Sequence, residues 1–403
     1  MKYIVVHAGR RDDYQVAYAL AESGGLQCLV TDFYAPFDTF GLRFLLKAMP
    51  NKVQTVLSKR YKVGLSSVLV VQSLSAIFYA FLYVITKKIK FSTLKDKALG
   101  HKARKLSIRY NVPIISMNTY AKYAFTKNPI APKILFQFHP HTTFVKNILT
   151  KEMEINPVSK KSLLQEYEFS VSNEVLEDLA EEIHLASTVI CASSITAQSL
   201  QEEGISSNNI KVISYGVETN LYPYKKREIL KPNDVFHVIF IGSLNQRKGI
   251  TYLLEALEGI QNVVLHIVGR GIFDENLLTN YQTTIELHKN ISQEELVTLL
   301  HRSHCFVLPS LVEGFGQVIL EAMATGIPIV ASENTIAKDI IKDGVNGFVV
   351  PIRNAVAIKN KIQHLIAHPD LVTKIGDTGY KTAQNLNWPT FRKNLVAHLH
   401  KLS

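Results

Sequence analysis

Apolar residues occur in short blocks along this chain, separated by stretches with a different spacing. Short continuous apolar runs within 3–9 and 26–31 are typical of buried strands. Between them, the Ala-rich stretch 15–22 has the spacing of a helix with one apolar face. Strand, loop, helix and strand in this order predict the opening of a doubly wound α/β domain.

Two later runs, 112–118 and 133–141, predict further strands of the same sheet, and both end in polar residues. Ligands of parallel sheets collect at the carboxyl ends of the strands. His139 and His141 stand at such an end, so we interpret them either as cleft residues or as two histidines of a surface loop. Their H-x-H spacing could suggest a metal, but no third ligand is placed beside it, and we expect none.

The second half of the chain alternates strands and helices more regularly. Its predicted strands are VFHVIFIG, VVLHIVG, HCFVLPS and GFVVP, and its predicted helices include ITYLLEALE and IAKDIIKDG. Ser292 with Glu295 three residues later has the sequence of a capping box, which predicts a helix through Leu300. The whole pattern therefore predicts an α/β protein with two Rossmann-like doubly wound domains.

The boundary between the domains is expected near 216–232, where Pro223, Pro232 and Asn233 interrupt the periodicity. We expect a first domain at 1–216 and a second at 217–385. The last segment, 386–403, has helical spacing from Trp388.

The stretch 306–332 carries the clearest candidate chemistry. An apolar strand is followed by Glu313, a glycine pair around an aromatic (Gly314, Phe315, Gly316) and an apolar helical pattern that stops at Gly326. Glu313, Gln317 and Glu321 are spaced four and four, so we place all three on one helix face. The N–H groups at a helix N-terminus favour phosphate, and carboxylates accept hydrogen bonds from sugar hydroxyls. The alternative is an amphipathic helix with two solvated glutamates.

A second candidate loop, GSLNQRKG, follows the first strand of the second domain. It contains Gly242, Ser243, Arg247 and Lys248. Two fixed cations stabilise negative charge as it develops on a diphosphate leaving group. Gly269, after the next strand, is interpreted as a turn that brings backbone close to a nucleotide.

Charge is unevenly distributed over the 403 residues. Residues 1–150 hold 22 Lys and Arg against 6 Asp and Glu, whereas the remainder holds 23 against 28. The basic first half predicts an anionic partner. Nucleic acid is disfavoured because we find no zinc-finger spacing, RRM-type aromatic motif or evident helix-turn-helix. An anionic membrane surface or a phosphate-bearing acceptor fits better.

The uncharged run 63–86 is the least expected part of the first half. Basic residues flank it on both sides, with Lys87, Lys88 and Lys90 directly after it. It has the length to span a bilayer, but a glutamine and several serines dilute its hydrophobicity. We keep three interpretations: a transmembrane helix, a helical pair that dips one face into the membrane interface, and simple core packing.

Cysteine usage and the N-terminus both favour a cytoplasmic protein. Cys28, Cys191 and Cys305 each sit in an apolar run without metal-ligand spacing, so we expect reduced core residues. The N-terminal segment lacks the apolar region and cleavage site of a signal peptide.

These motifs together resemble the family-4 retaining glycosyltransferases of the two-domain GT-B type. The resemblance rests on EGFGQVILE at 313–321, on the GSLNQRKG loop and on the linker-like YGVETNLYP at 215–223. It is strong over 190–350 and fades before 190. It implies two domains facing a cleft and a terminal helix that crosses back to the first domain. Asp-x-Asp, the diphosphate-metal motif of the other common fold, is absent, so no metal or other cofactor is expected beside the nucleotide-sugar co-substrate.

The resemblance also implies roles for individual residues. Glu321 would hold the donor ribose and Glu313 the transferred sugar, while Gly314 to Gln317 would line sugar and phosphates. His139 would face both acceptor and donor sugar. The first loop, usually glycine-rich in this family, retains only Gly9 here. Arg10 or Arg11 could supply charge to phosphate instead, or they are solvated arginines beside two aspartates.

The expected function is therefore a retaining, metal-independent hexosyltransferase. It would act on a lipid-linked or polysaccharide acceptor, and we expect it in the cytoplasm, peripherally on the inner face of the cell membrane. The competing hypothesis is a nucleotide-binding, membrane-attached subunit that has lost catalysis, which the poor first loop suggests. A more distant one is a GT-B epimerase or phosphorylase.

Overall fold

Two parallel sheets, each covered by helices, form the protein in the computed structural model. The structure describes residues 1–38, 41, 44, 48–231, 233–271, 278 and 280–402, without the side chains of 51–53. The sheets contain seven and six strands, and every pairing between neighbouring strands is parallel. The predicted α/β class with two doubly wound domains is confirmed.

The first sheet has the strand order β3-β2-β1-β4-β5-β6-β7. Its strands are β1 (Tyr3–Val6), β2 (Leu26–Thr31), β3 (Val70–Gln72), β4 (Ile114–Met117), β5 (Lys133–Gln137), β6 (Thr188–Cys191) and β7 (Ile210–Val212). Its helices are α1 (Gln15–Glu22), α2 (Asn51–Ser58), α3 (Leu74–Thr86), α4 (Ile89–Tyr110), α5 (Ala121–Phe125), α6 (Thr142–Ile155), α7 (Lys160–Leu163), α8 (Tyr167–Ser170), α9 (Asn173–Leu185) and α10 (Ser194–Glu202).

The second sheet has the order β10-β9-β8-β11-β12-β13. Its strands are β8 (Phe236–Ile241), β9 (Val263–Val268), β10 (Thr284–His288), β11 (Cys305–Leu308), β12 (Ile329–Ser332) and β13 (Phe348–Val350). Its helices are α11 (Ile250–Leu257), α12 (Gln293–Arg302), α13 (Gln317–Ala324), α14 (Ala337–Ile340), α15 (Ala355–Ala367), α16 (Pro369–Asn385) and α17 (Trp388–His400).

The central strands are continuous apolar runs because helices cover both faces of each sheet. Every residue of β1, β11 and β12 is buried. Strand order reverses direction between β1 and β4 in the first sheet and between β8 and β11 in the second. Such switch points leave a crevice at the carboxyl ends of the strands, where ligands of this architecture bind.

Several local predictions are confirmed. The Ser292 capping box is present, with the Ser292 side chain accepting from the Glu295 N–H and the Glu295 side chain accepting from the Ser292 N–H. All three cysteines are buried and free.

The last helix, α17, packs against the first domain. The Tyr3 hydroxyl donates to the Leu399 carbonyl at 3.2 Å, and Arg392 pairs with Glu22 at 2.6 Å. The Arg392 guanidinium also donates to the Gln15 amide oxygen at 2.9 Å. The two ends of the chain therefore meet on one side of the first sheet.

The uncharged run 63–86 is neither a core segment nor one long helix. It contains β3 and α3, and α3 packs against α4. Ala76 is the one buried residue of α3, whereas Leu74, Phe78 and Phe81 are 82%, 57% and 60% exposed. The core-packing interpretation is therefore wrong for α3. Across the ranges given above, no helix has both the length and the apolar character needed to cross a membrane.

Candidate active site

Two loops at the carboxyl ends of β8 and β11 meet in the crevice of the second sheet. The turn Gln246–Lys248 follows β8, and Glu313 lies in the loop between β11 and α13. Lys248 Nζ and Glu313 Oε1 are 2.5 Å apart, and the Glu313 N–H donates to the Asn334 carbonyl at 2.9 Å. The loop backbone thus fixes the carboxylate against a lysine that comes from a different strand.

Glu313 is buried, but it is held as a carboxylate. Burial by itself would raise its pKa, yet the charges of Lys248 and Arg247 and the hydrogen bond from Lys248 bring the pKa below the ordinary value. An ionised carboxylate can only accept hydrogen bonds. In this crevice it would bind sugar hydroxyls rather than phosphate.

Arg247 is held by a residue of the first domain that the sequence did not point to. Its guanidinium donates to Glu166 Oε2 at 3.0 Å and to the Val312 carbonyl at 3.3 Å. Glu166 Oε1 also accepts from the Asn245 amide at 2.7 Å. Burial lowers the pKa of Arg247, but nearby carboxylates raise the pKa above the ordinary value overall. The guanidinium therefore stays positively charged.

His139 lies between the domains, close to both cations. The residue is exposed to the crevice, and its ring lies beside Gly314 of the second domain. Desolvation, followed by the charges of Arg247 and Arg11, lowers its pKa to about 4. The imidazole is therefore neutral near pH 7 and can donate or accept a hydrogen bond without adding charge.

The loop of Gly314 forms a close contact between the domains. A Cβ on Gly314 would lie 2.2 Å from the Phe138 carbonyl oxygen, so a larger residue would push His139 away. The Gly314 carbonyl accepts hydrogen bonds from the hydroxyls of Ser193 and Thr196 in the first domain. Glycine at 314 is thus required by domain contact, whatever it offers a ligand.

The helix-face argument for the three polar residues is wrong for Glu313, because α13 begins only at Gln317. The Gln317 amide donates to the Gly216 carbonyl at 2.9 Å, which ties it to the linker. Gly316 caps the helix with a left-handed φ of 85°. The buried Phe315 ring packs on Tyr215 with centroids 5.1 Å apart, so it serves domain packing.

Glu321 lies on α13 close to the Tyr222 hydroxyl, which acts to lower the pKa of its carboxyl. Burial is the main influence on this carboxyl and raises its pKa above the ordinary value. Tyr222 was not singled out from the sequence, although it stands within the linker signature. The pair offers two neighbouring oxygen atoms on the side of the crevice where α13 meets the linker.

Gly242, Ser243 and Gly269 lie at adjacent strand ends. The Gly242 N–H donates to the Val268 carbonyl at 3.0 Å. A Cβ on Gly269 would lie 1.9 Å from the Gly242 carbonyl oxygen. Gly269 is therefore needed for the close approach of two strand ends, a reason that differs from the predicted contact with a nucleotide.

The first loop keeps an unusual backbone without several glycines. Gly9 has a φ of 67°, and Asp12, Asp13 and Tyr14 follow with φ of 45°, 53° and 61°. Such left-handed conformations are costly for residues other than glycine and cluster at functional sites. The Gly9 N–H donates to Asp32 at 2.9 Å.

The two arginines of this loop have different surroundings. Arg10 is exposed and pairs with Asp13. The Arg11 guanidinium lies 5.3 Å from the centre of the Phe138 ring and lines the crevice. Of the two, Arg11 is placed to meet a ligand.

A cavity of about 250 Å³ lies on the first-domain side of this crevice. Its lining includes Arg11, His139, His141, Glu168 and Arg247. His141 is buried, with Nδ1 at 3.3 Å from Glu203, so the structure separates it from His139, which is exposed to the crevice. The cavity therefore brings Arg247 of the second domain together with Arg11, histidines and carboxylates of the first domain.

A second group of contacts between the domains surrounds Glu152 of α6. This fully buried carboxylate accepts from Gln246 at 2.8 Å, from the Tyr252 hydroxyl at 2.9 Å and from Arg353 at 2.7 Å. The Arg353 guanidinium also donates to the Ile148 carbonyl at 2.7 Å. Gln246 precedes Arg247, so this group helps to position the cation loop.

The chain resembles known proteins in sequence over part of its length and in fold over all of it. Residues 223–382 match the model of the family described as Glycosyl transferases group 1. The capsular polysaccharide biosynthesis glycosyltransferase CapM of Staphylococcus aureus is 30% identical over 190 residues, which cover 45% of this chain and 49% of that protein. The lipopolysaccharide core biosynthesis glycosyltransferase LpsE of Rhizobium meliloti is 27% identical over 198 residues, 48% of this chain and 58% of that protein. The chain spans about half the length of these curated relatives.

Solved structures extend the similarity to the whole chain at the level of fold. Sucrose-phosphate synthase from Thermosynechococcus elongatus superposes with a TM-score of 0.71 at 17% identity, covering 100% of this chain and 99% of that one. HepE of Anabaena, solved in complex with UDP-glucose, gives a TM-score of 0.63 at 18% identity and covers 100% of both chains. At such identities the property shared with these structures is the fold.

Proposed function

We propose that this chain, whose residues 223–382 match the group 1 glycosyl transferases, moves a sugar from a nucleotide-diphosphate donor to a lipid-linked or polysaccharide acceptor, with retention of configuration. The observation that carries the proposal is the pairing of Glu313 with Lys248, beside Arg247, at the switch point of the second sheet. A sugar and a diphosphate need this combination of hydroxyl acceptor and fixed cations.

In this proposal Lys248 and Arg247 stabilise the charge that develops on the diphosphate as the glycosidic bond breaks. Both cations are positioned before the reaction, so little reorganisation is needed when charge appears. Glu321, with Tyr222, would accept hydrogen bonds from the ribose. No divalent metal is required for these roles, because two side chains already supply positive charge.

Arg247 would exchange its present ion-pair partner, Glu166, when the donor binds. Its present contact with Glu166 uses the hydrogen-bond donors that a phosphate would take. We infer that the donor diphosphate displaces Glu166 from Arg247. In the ligand-free protein, the Glu166 carboxylate partly neutralises Arg247 and so limits the binding of other anions at this site. After the donor has bound, Glu166 stays nearby because it belongs to the first domain.

His139 would act at the first-domain side of the transferred sugar. Its neutral ring stands next to the cavity of about 250 Å³, and an acceptor hydroxyl there could hydrogen-bond it. Same-face attack on the sugar, with the leaving phosphate taking the acceptor proton, would retain the anomeric configuration. That sequence of events follows from the family resemblance and remains part of the proposal.

The shape of the first domain supports an acceptor delivered from a membrane surface. The cavity at His139 shares Arg11, Tyr167 and Glu182 with a neighbouring cavity of about 180 Å³. That cavity reaches Ile89 and Thr93, which also line an open groove with Lys90 and Lys97. Neighbouring cavities with shared lining residues thus extend from the crevice to the start of α4, which packs against α3 and its exposed apolar side chains.

We therefore propose that the α3–α4 pair lies on an anionic membrane surface on the cytoplasmic side. Leu74, Phe78 and Phe81 would contact the interface, and Lys87, Lys88 and Lys90, all exposed, would contact lipid phosphates. Apolar insertion and basic charge contribute together to such binding.

A thermal-shift panel of UDP-, GDP- and ADP-sugars tests donor binding, because a ligand of the folded state raises apparent stability. We expect one nucleotide class to raise the midpoint, and we expect EDTA to leave the size of that donor-induced shift little changed. The active sample should then release nucleoside diphosphate when an acceptor extract is added. A midpoint shift without release under any acceptor would favour the inactive-subunit hypothesis, and no shift with any donor would contradict the proposal.

A further inference from the structure

Histidines cluster at the free edge of the second sheet, apart from the residues assigned to the donor. Strand β10 is the edge strand and pairs with β9 in parallel register, with Glu286 directly opposite His266. His288 is two residues beyond Glu286, and side chains two apart in a strand share one face. Register and periodicity therefore bring an imidazole, a carboxylate and a second imidazole together.

The three ligand atoms form a small triangle. His266 Nδ1 lies 3.1 Å from Glu286 Oε2 and 3.2 Å from His288 Nε2, and the remaining side between Glu286 Oε2 and His288 Nε2 is 3.8 Å. Ligands bound at ~2.0–2.1 Å around a tetrahedral zinc ion are separated by about 3.3 Å. Within the described residues this is the one His, Cys, Asp and Glu group with such mutual distances.

A further histidine orients the inner ligand. His266 is fully buried, and its other ring nitrogen, Nε2, lies 2.9 Å from Nδ1 of His237 on β8. A hydrogen bond to the far nitrogen of a metal-binding histidine fixes its tautomer and ring plane. The backbone N–H of His237 donates to His304 Nδ1 at 2.9 Å, which fixes the position of the neighbouring histidine. The inner imidazole is thus held with Nδ1 directed to the triangle.

We propose that His266, Glu286 and His288 form a zinc-binding site, with His237 as the positioning residue behind His266. Two imidazoles and a carboxylate suit Zn²⁺, and three protein ligands leave the fourth position to water or another small ligand. Glu286 and His288 are partly accessible, at 45% and 26% side-chain exposure, so an ion can enter from solvent. The role of the zinc site would be structural: it would hold the edge strand β10 in place and take no part in sugar transfer.

The position of the site links it mechanically to the donor loops. The His288 carbonyl accepts a hydrogen bond at 3.2 Å from the N–H of Gly269, whose backbone approaches Gly242. Zinc bound at the end of β10 would hold this strand end in register with β9. We expect it to stabilise the second domain more than it changes turnover.

Zinc titration of the full-length, tag-free protein after dialysis against a chelator tests the proposal. We expect one ion per chain, a rise in melting temperature, and a Co²⁺ derivative with the visible absorption of a four-coordinate ion. His288→Ala and, separately, Glu286→Gln should weaken zinc binding by at least ~100-fold, beyond the ~10–100-fold typical of a lost orienting partner. Each variant is first compared with the wild type by circular dichroism in the absence of metal.

Two further variants complete the design. His237→Gln should weaken binding by ~10–100-fold, and unchanged affinity would overturn its positioning role. The control is His364→Gln, since the His364 and His368 rings on the surface lie 4.6 Å apart and could bind zinc adventitiously. Affinity should survive that change. The proposal is overturned if the wild type binds zinc no more tightly than His288→Ala, or if His364→Gln removes the binding.

Discussion

The two domains share one architecture but differ in where their charged residues lie. In the second domain, Lys248 and Glu313 come from neighbouring loops and meet inside the protein. In the first domain, the exposed Lys87, Lys88 and Lys90 directly follow the exposed apolar helix α3, and Arg11 alone of the two loop arginines faces the crevice. A buried ion pair fixes the geometry for one small ligand, whereas an exposed basic and apolar surface accepts a broad partner.

This difference explains why the site in the second domain is easier to predict from the sequence than the surface of the first domain. A donor site built from contiguous motifs is readable from sequence, because local spacing determines which atoms come together. An acceptor site built from a surface and a loop depends on shape. The predictions that follow break the link between the domains first, and then test each side by itself.

The largest effect on stability is expected at the contact between the domains around Glu152. Glu152→Ala leaves Arg353 without its buried partner, and loss of one member of a buried pair typically costs about 3–5 kcal/mol. We expect a fall of that size in the free energy of unfolding, measured by urea denaturation. Glu154→Ala, on the exposed side of the same helix, is the matched control and should change little. Equal stability in both variants would contradict the join described here.

Loss of a cation in the second domain should mainly affect turnover. Arg247→Ala or Lys248→Ala removes charge stabilisation at the diphosphate, and loss of one such donor typically lowers turnover by about 10²–10³-fold. Steady-state kinetics with saturating donor measures this, with circular dichroism to verify the fold. Near-normal turnover in both variants would show that the diphosphate lies elsewhere.

Reversing charge beside α3 should release the protein from membranes without affecting the donor site. Each basic residue near an anionic surface contributes roughly 1 kcal/mol, so replacing Lys87, Lys88 and Lys90 by Glu should lower vesicle affinity by ~10²-fold or more. Co-sedimentation with vesicles containing anionic lipid measures it, and neutral vesicles serve as the control. Binding of the wild type should weaken with salt, whose Debye length is about 10 Å at 0.1 M. A wild type that ignores anionic vesicles at low salt would refute the membrane proposal.

The smallest expected effect is a pH dependence of stability from His139. Its pKa in the folded protein is about 4, below the ordinary 6.5, so the unfolded chain takes up the proton first as pH falls. Stability from the neutral ring is therefore lost between pH 6.5 and 4. The stability of His139→Gln relative to wild type should improve across that window. His400→Gln, at an exposed position, should show no such trend, and a flat difference for His139→Gln would argue against its desolvated position.

Local features were predictable from the sequence where neighbours along the chain decide them. The capping box at Ser292 and the strand at 305–308 follow from adjacent residues, and the structure confirms both. Glu313 was placed on a helix because its spacing to Gln317 fits one, but Gly316 adopts a left-handed conformation and starts the helix later. Spacing alone cannot show which residue begins the helix.

Contacts between distant segments could not be predicted. Glu152 and Arg353 lie 201 residues apart, one in each domain, and neither stands in a recognisable motif. Glu166 meets Arg247 only because α8 lies opposite the cation loop. The exposure of α3 was equally hidden, since an apolar run has the same composition whether it packs in a core or faces a membrane.

The donor dissociation constant, measured by calorimetry in two variants, tests the central claim most directly. We expect Glu321→Ala to weaken binding of the preferred nucleotide-sugar by about 1–3 kcal/mol, because ribose hydroxyls lose their acceptor. The variant with Lys87, Lys88 and Lys90 replaced by Glu should bind the same donor as tightly as the wild type. Unchanged affinity in Glu321→Ala, or a comparable loss in the triple variant, would contradict the assignment of the donor to the second domain.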